Sequence, residues 1–96
     1  MNAAQESQLR SVTERALRAG NWRDAVSILQ QLANDPQWPD HRRADYWSNL
    51  AVCHLNLGEF SDAITAANAA LALRPSHADA WCNLASAYWR NHIPDN

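Results

Sequence analysis

No lysine occurs in the 96 residues, and all eight basic side chains are arginine. A lysine Schiff base and the phosphate-gripping lysine of a P-loop are thereby excluded. Glycine is also scarce, with Gly20 and Gly58 alone, while apolar residues make up 47% and Ala and Leu are prominent. That balance suits a helical globular chain better than a disordered or all-β one. The two cysteines, Cys53 and Cys82, allow at most one disulfide, and nothing indicates an oxidising compartment, so both are expected as reduced, small apolar residues. Neither has a zinc-finger spacing with His41, His54, His77 or His92, and no metal or other cofactor is expected. Positive charge is in deficit: the net charge is −2, which argues against nucleic acid as a partner because phosphate-tracking proteins need a basic face. No run approaches the roughly 20 apolar residues of a membrane span. The opening MNAAQESQLR has no apolar core behind a basic start. A cytoplasmic protein without a membrane partner is therefore expected.

What the chain does contain is repetition. ADYWSNLA (44–51) and ADAWCNLA (78–85) share six of eight residues at an offset of 34, and GNWRDAV (20–26) matches GEFSDAI (58–64) at an offset of 38. Trp47, Leu50, Ala51, His54 and Leu57 recur at three- and four-residue spacing, one stripe of a helix that Gly58 should end. Phe60, Ala63, Ile64, Ala67, Ala70 and Leu71 form the next stripe, which Pro75 stops. Each unit thus reads as two helices. The spacing predicts helices near 4–19, 22–34, 40–57, 60–73 and 77–90, in a single domain of units 6–39 and 44–77, a half unit 78–90 and a tail 91–96.

The four extra residues between the first two units fall within DPQWPDHRR. Four residues are about 1.1 helical turns, so at the start of the third helix they would lengthen it without rotating its buried stripe. Asp40 would then be its N-cap, although Arg42 and Arg43 would stand in a first turn whose dipole disfavours cations. The alternative is a loop carrying Trp38 further into the helix.

With its 34-residue period and the pattern Trp47, Leu50, Ala51, His54, Gly58, Phe60, Ala63, Ala67, Ala70 and Pro75, the chain resembles the tetratricopeptide repeat family. His54 stands where that family has tyrosine, and Ala67 where it has phenylalanine. Trp81, Leu84, Ala85 and Tyr88 repeat the pattern; Leu9, Val12, Thr13 and Ala16 carry it weakly in the first unit. The resemblance implies an all-α fold of antiparallel helix pairs stacked into a short right-handed superhelix. In such a stack Ala63, Ala67 and Ala70 let backbones approach while Trp47 and Trp81 fill the wider gaps.

It also implies a concave wall made by the first helix of each pair. The face opposite the Trp47 stripe holds Asp45, Ser48, Asn49, Val52 and Asn56, with Leu55 at its edge; the third unit offers Asp79, Cys82, Asn83, Ser86, Arg90 and, at the edge, Trp89. Ser7, Arg10, Ser11, Glu14 and Arg18, with Leu17 beside them, would continue it in the first unit. Asn49 and Asn83 match the family position at which an amide often holds a bound peptide's main chain, since an amide donates and accepts at once; water is the other partner open to them. Arg10, Arg18 and Arg90 could pair with acidic side chains of a ligand or simply be solvated. Relatives that clamp the acidic C-terminus of heat-shock chaperones need Lys and Arg where this chain has Ser7, Ser11, Asp79 and Asn83, so that activity is not implied.

The third unit stops after one helix, at NHIPDN. Ala87, Tyr88 and Trp89 are therefore expected to form an exposed C-terminal interface for another copy or another protein, whereas QESQLRSVTER should give the first helix a polar outer face. The resemblance implies a protein–protein interaction module that holds a peptide or protein segment, as an adaptor or small chaperone-like assembly factor. A self-associating scaffold is the alternative. An RNA-binding repeat of the pentatricopeptide type ranks lower because Glu14, Asp45 and Asp79 offset the arginines. No enzyme is expected: Cys53 and His54 are adjacent on a helix and diverge by about 100°, too far for a nucleophile–base pair.

Overall fold

A computed structural model describes residues 2–92. The helices are α1 (Ala3–Ala19), α2 (Trp22–Asn34), α3 (Asp40–Asn56), α4 (Phe60–Leu73) and α5 (Ala78–His92), and no strand occurs among the described residues. Residues 93–96 of the expected tail lie outside them. Each helix packs on the next, and α3 also meets α5, beyond the intervening α4. The result is an elongated stack measuring 47 × 29 × 17 Å.

The boundaries follow from local chemistry. Asn2 and Gln5 satisfy each other's backbone N–H groups in a capping box that starts α1. Gly20 and Gly58 take the same left-handed conformation, with φ of 74° and 75°. After each, the next N–H (Asn21, Glu59) reaches back to a carbonyl of the last turn (Ala16, His54) at 2.8 Å, closing α1 and α3 with the same glycine-dependent motif. Asp35 and Arg74 end α2 and α4 in extended conformations because each precedes a proline, which disfavours the helical region.

The inserted residues do lengthen α3: Ala44, the counterpart of the α5 starting residue Ala78, lies one turn inside it. The N-cap is Pro39, however, not Asp40, and no side chain caps this end. Proline fits because it presets extended backbone before the helix. Arg42 and Arg43 stand in the unfavourable first turn, and tertiary partners compensate. Arg42 reaches Glu6 of α1 at 2.9 Å, and Arg43 donates to the Ala33 carbonyl at 3.0 Å, capping the negative end of α2.

Leu29 and Leu32 of α2 and Leu50 and Cys53 of α3 are the largest fully buried side chains. Burial pushes the Cys53 thiol up to about 11, whereas Cys82 is exposed, so only Cys53 serves as a small apolar core residue; both are free thiols. In α4, Ala63, Ala66, Ala67 and Ala70 are buried where that helix meets α3 and α5. An Ala63→Leu variant is expected to lose about 1–3 kcal/mol in urea unfolding through overpacking; an unchanged midpoint and slope would mean the helices have room to part.

Four expectations about burial need correction. Val12 is exposed, and the inward stripe of α1 is instead Glu6, Leu9, Thr13 and Ala16. Glu6 and Thr13 therefore do not belong to a polar outer face; Thr13 turns its hydroxyl to the Leu9 carbonyl at 2.7 Å. Ala87 is fully buried, because the α5 face that meets α3 and α4 passes through Ala80, Leu84 and Ala87. Trp47 and Trp81 are not equivalent: Trp47 packs against the core beside α2 and α4, while Trp81 is 53% exposed and ties its indole N–H to the Pro75 carbonyl.

Candidate binding cleft

The first helices of the pairs leave a cleft of about 370 Å³ between α1 and α3, extended by the start of α5 and floored by Leu29 and Leu32 of α2. It stays open because the bridge between α1 and α3 is made by long polar side chains near their N-terminal ends. Glu6 is 4% exposed, and its carboxylate accepts from Arg42 Nη1 at 2.9 and 3.2 Å and from the Tyr46 hydroxyl at 2.8 Å. Burial first, then that carboxylate, push the Tyr46 phenol well above its ordinary range. Further along α1, Arg10, Thr13, Glu14 and Leu17 form one wall of the cleft, facing Asp45, Ser48 and Asn49.

The far rim is organised by His77. Its Nδ1 accepts the Ala80 N–H at 3.2 Å, so this ring caps the start of α5. That nitrogen carries no proton; Nε2–H therefore donates to Asp45 Oδ1 at 2.7 Å. The contact is a hydrogen bond from a neutral imidazole, and it holds the half-exposed Asp45 carboxylate toward the cleft alongside Asp79.

The two repeat-related asparagines differ in role. Asn49 is exposed on the cleft, and its amide makes no hydrogen bond among the described residues. Asn83 donates its amide to the Ser48 carbonyl and hydroxyl, both at 3.1 Å. It thus serves as a strut between α5 and α3, and Ser48, buried beneath it, is not the exposed groove residue expected.

The other expected wall residues scatter. Arg18, Cys82 and Ser86 are exposed but do not line the cleft; Val52 and Leu55 are half-buried, and the Asn56 amide turns back to the Val52 carbonyl. Arg90 folds against its own protein, with Nη1 3.5 Å from the Leu55 carbonyl and its guanidinium 5.7 Å from the centre of the Phe60 ring. Ser7 and Ser11 belong to a different surface, shared with Val12 and Arg15. A 100° helical wheel assigns faces but not what the neighbours cover, which explains these misplacements. Tyr46, His77 and Arg42 were missed because their importance arises from partners distant in sequence.

A second polar cluster lies between α2 and α4, where Arg23 grips Glu59 at 3.0 and 3.3 Å and His54 Nδ1 lies 2.9 Å from the same carboxylate. His54 first, and Arg23 second, hold the Glu59 carboxyl below its ordinary range. The ligand atoms of His54, Glu59 and Asp62 lie within 4.8 Å of one another, a grouping that could hold a metal ion. Arg23 already supplies the cation to Glu59, and the helix N-terminus disfavours a second one, so the cluster joins successive units through the Arg23–Glu59 ion pair and the His54 contact.

Stacked two-helix units with a side-chain-lined hollow define a helical-repeat scaffold. Two models described as tetratricopeptide repeat match the sequence, one over residues 44–77 and the other over residues 14–59. The chain belongs to the tetratricopeptide repeat family, whose repeats are generally protein–protein interaction modules and typically non-enzymatic scaffolds. Neither curated proteins nor solved structures give a match. Among the described residues no helix is long and apolar enough to cross a membrane.

Proposed function

We propose that this protein holds a segment of another polypeptide in the cleft between α1 and α3, as an adaptor or assembly factor. The observation that carries this reading is Asn49: an exposed amide with no hydrogen-bond partner among the described residues, set in a hollow whose apolar floor and polar walls suit a chain that presents main-chain and side-chain groups together. The hollow's volume of about 370 Å³ accommodates a few residues of a ligand. Peptides selected from a displayed random library on the folded protein are expected to bind an Asn49→Ala variant about tenfold or more weakly, with its circular dichroism and melting unchanged. Binders indifferent to Asn49 would place the interaction elsewhere. An Asn83→Ala variant would test something else, because it removes the strut to Ser48.

The surface of α5 supports a second reading, self-association. Trp81, Tyr88 and Trp89 are 53%, 45% and 71% exposed, and large aromatic residues brought together at a surface favour contact with another chain. Tyr88 and Trp89 remain from the expected interface, and Ala87 drops out because it is buried. Sedimentation equilibrium is expected to show a concentration-dependent dimer that a Trp89→Ala variant weakens; a monomer at high concentration rejects this reading.

A further inference from the structure

We infer that the segment held in the cleft is cationic, with a Lys or Arg side chain seated at the Asp45–Asp79 rim. This rests on the cleft being the binding site, and of the two readings open for Arg10, Arg18 and Arg90, pairing with acidic ligand groups or solvation, it sets aside the first. The structure removes most of that positive charge from the site. Arg42 is spent on the buried Glu6, Arg90 lies against Leu55 and Phe60, and Arg18 does not line the cleft. Arg10 is the one cation left on the walls without an ion pair among the described residues. Against it stand Glu14, Asp45 and Asp79.

His77 does not cancel this excess. Its Nδ1 accepts the Ala80 N–H, so the ring donates a neutral hydrogen bond to Asp45 and leaves the carboxylate's charge in place. That bond uses one oxygen, Oδ1; Oδ2 makes no hydrogen bond among the described residues. A guanidinium or ammonium group entering the cleft therefore meets an oriented acceptor backed by a second carboxylate at the start of α5, an arrangement in which charge-assisted bonds are favoured. Asn49 on the same wall is placed to hold the adjoining main chain.

The experiment selects displayed random dodecapeptides on the whole protein and measures the recovered peptides by fluorescence anisotropy. Peptides whose binding depends on Asn49 are expected to carry at least one Lys or Arg. An Asp45→Asn, Asp79→Asn double variant, which keeps the acceptor for His77, is expected to bind them about tenfold or more weakly. Affinity should fall as salt is raised, while Arg10→Ala should leave binding equal or tighter. Asn49-dependent peptides without basic residues, or basic peptides indifferent to the double variant, would overturn the charge assignment while leaving the cleft as the site. Selection that recovers no Asn49-dependent peptide overturns both. Melting curves of each variant separate lost binding from lost fold.

Discussion

A Trp38→Ala variant is expected to lose about 3 kcal/mol of stability, with a melting point lower by about 10 °C or more. Trp38 comes from the inserted linker and would ordinarily be regarded as a loop residue, yet it is 6% exposed and part of the main core. The Arg42 guanidinium lies 5.9 Å from its ring centre, so the indole also supports the side chain that binds Glu6. Its Nε1–H is buried without a partner among the described residues, and removing it offsets part of the loss. Trp38→Phe separates the two contributions: it keeps a ring and drops the unbonded N–H, and is expected to stay within about 1 kcal/mol of the wild type. Urea unfolding of both variants decides the matter. A loss below about 1 kcal/mol for the alanine variant would show that the linker does not belong to the core.

Replacing Glu6 by alanine is expected to cost about 2–3 kcal/mol, because it strips a buried carboxylate from two donors and leaves Arg42 and the Tyr46 hydroxyl without their acceptor. Arg42 is 36% exposed and recovers some hydration, which keeps the loss below that of a fully buried broken pair. The damage should be local. Aside from this bridge α1 packs chiefly on α2, so amide exchange is expected to rise along α1 and change little in α3 and α4. Tyr46→Phe removes one of the donors and should produce a smaller change of the same kind. Uniform acceleration across all helices would mean that α1 is not separately anchored.

Much of this architecture was legible in one dimension. The five helices begin and end within about two residues of their expected bounds, because glycine's freedom to take positive φ and proline's fixed φ act locally. The doubled glycine motif at Gly20 and Gly58 and the extra turn of α3 follow from the same local rules. The alanine stripe of α4 was equally readable, since small residues at helical spacing go where two helices meet. Glu6 was not readable in this way: a glutamate in a polar stretch looks solvated until Arg42 and Tyr46, 36 and 40 residues away, are brought beside it. His77 was equally hidden, because its cap is local but its bond to Asp45 spans 32 residues.

Periodicity, punctuation and the 34-residue offset were enough to set helix limits, pairing and family, since these depend on φ restrictions and on which side of a helix is apolar. Which charges remain at the cleft, which of two matching asparagines is free, and which tryptophan is covered were settled by folding. Those properties depend on what each polar group finds within about 3 Å once distant segments meet, and identical residues in successive repeats meet different neighbours.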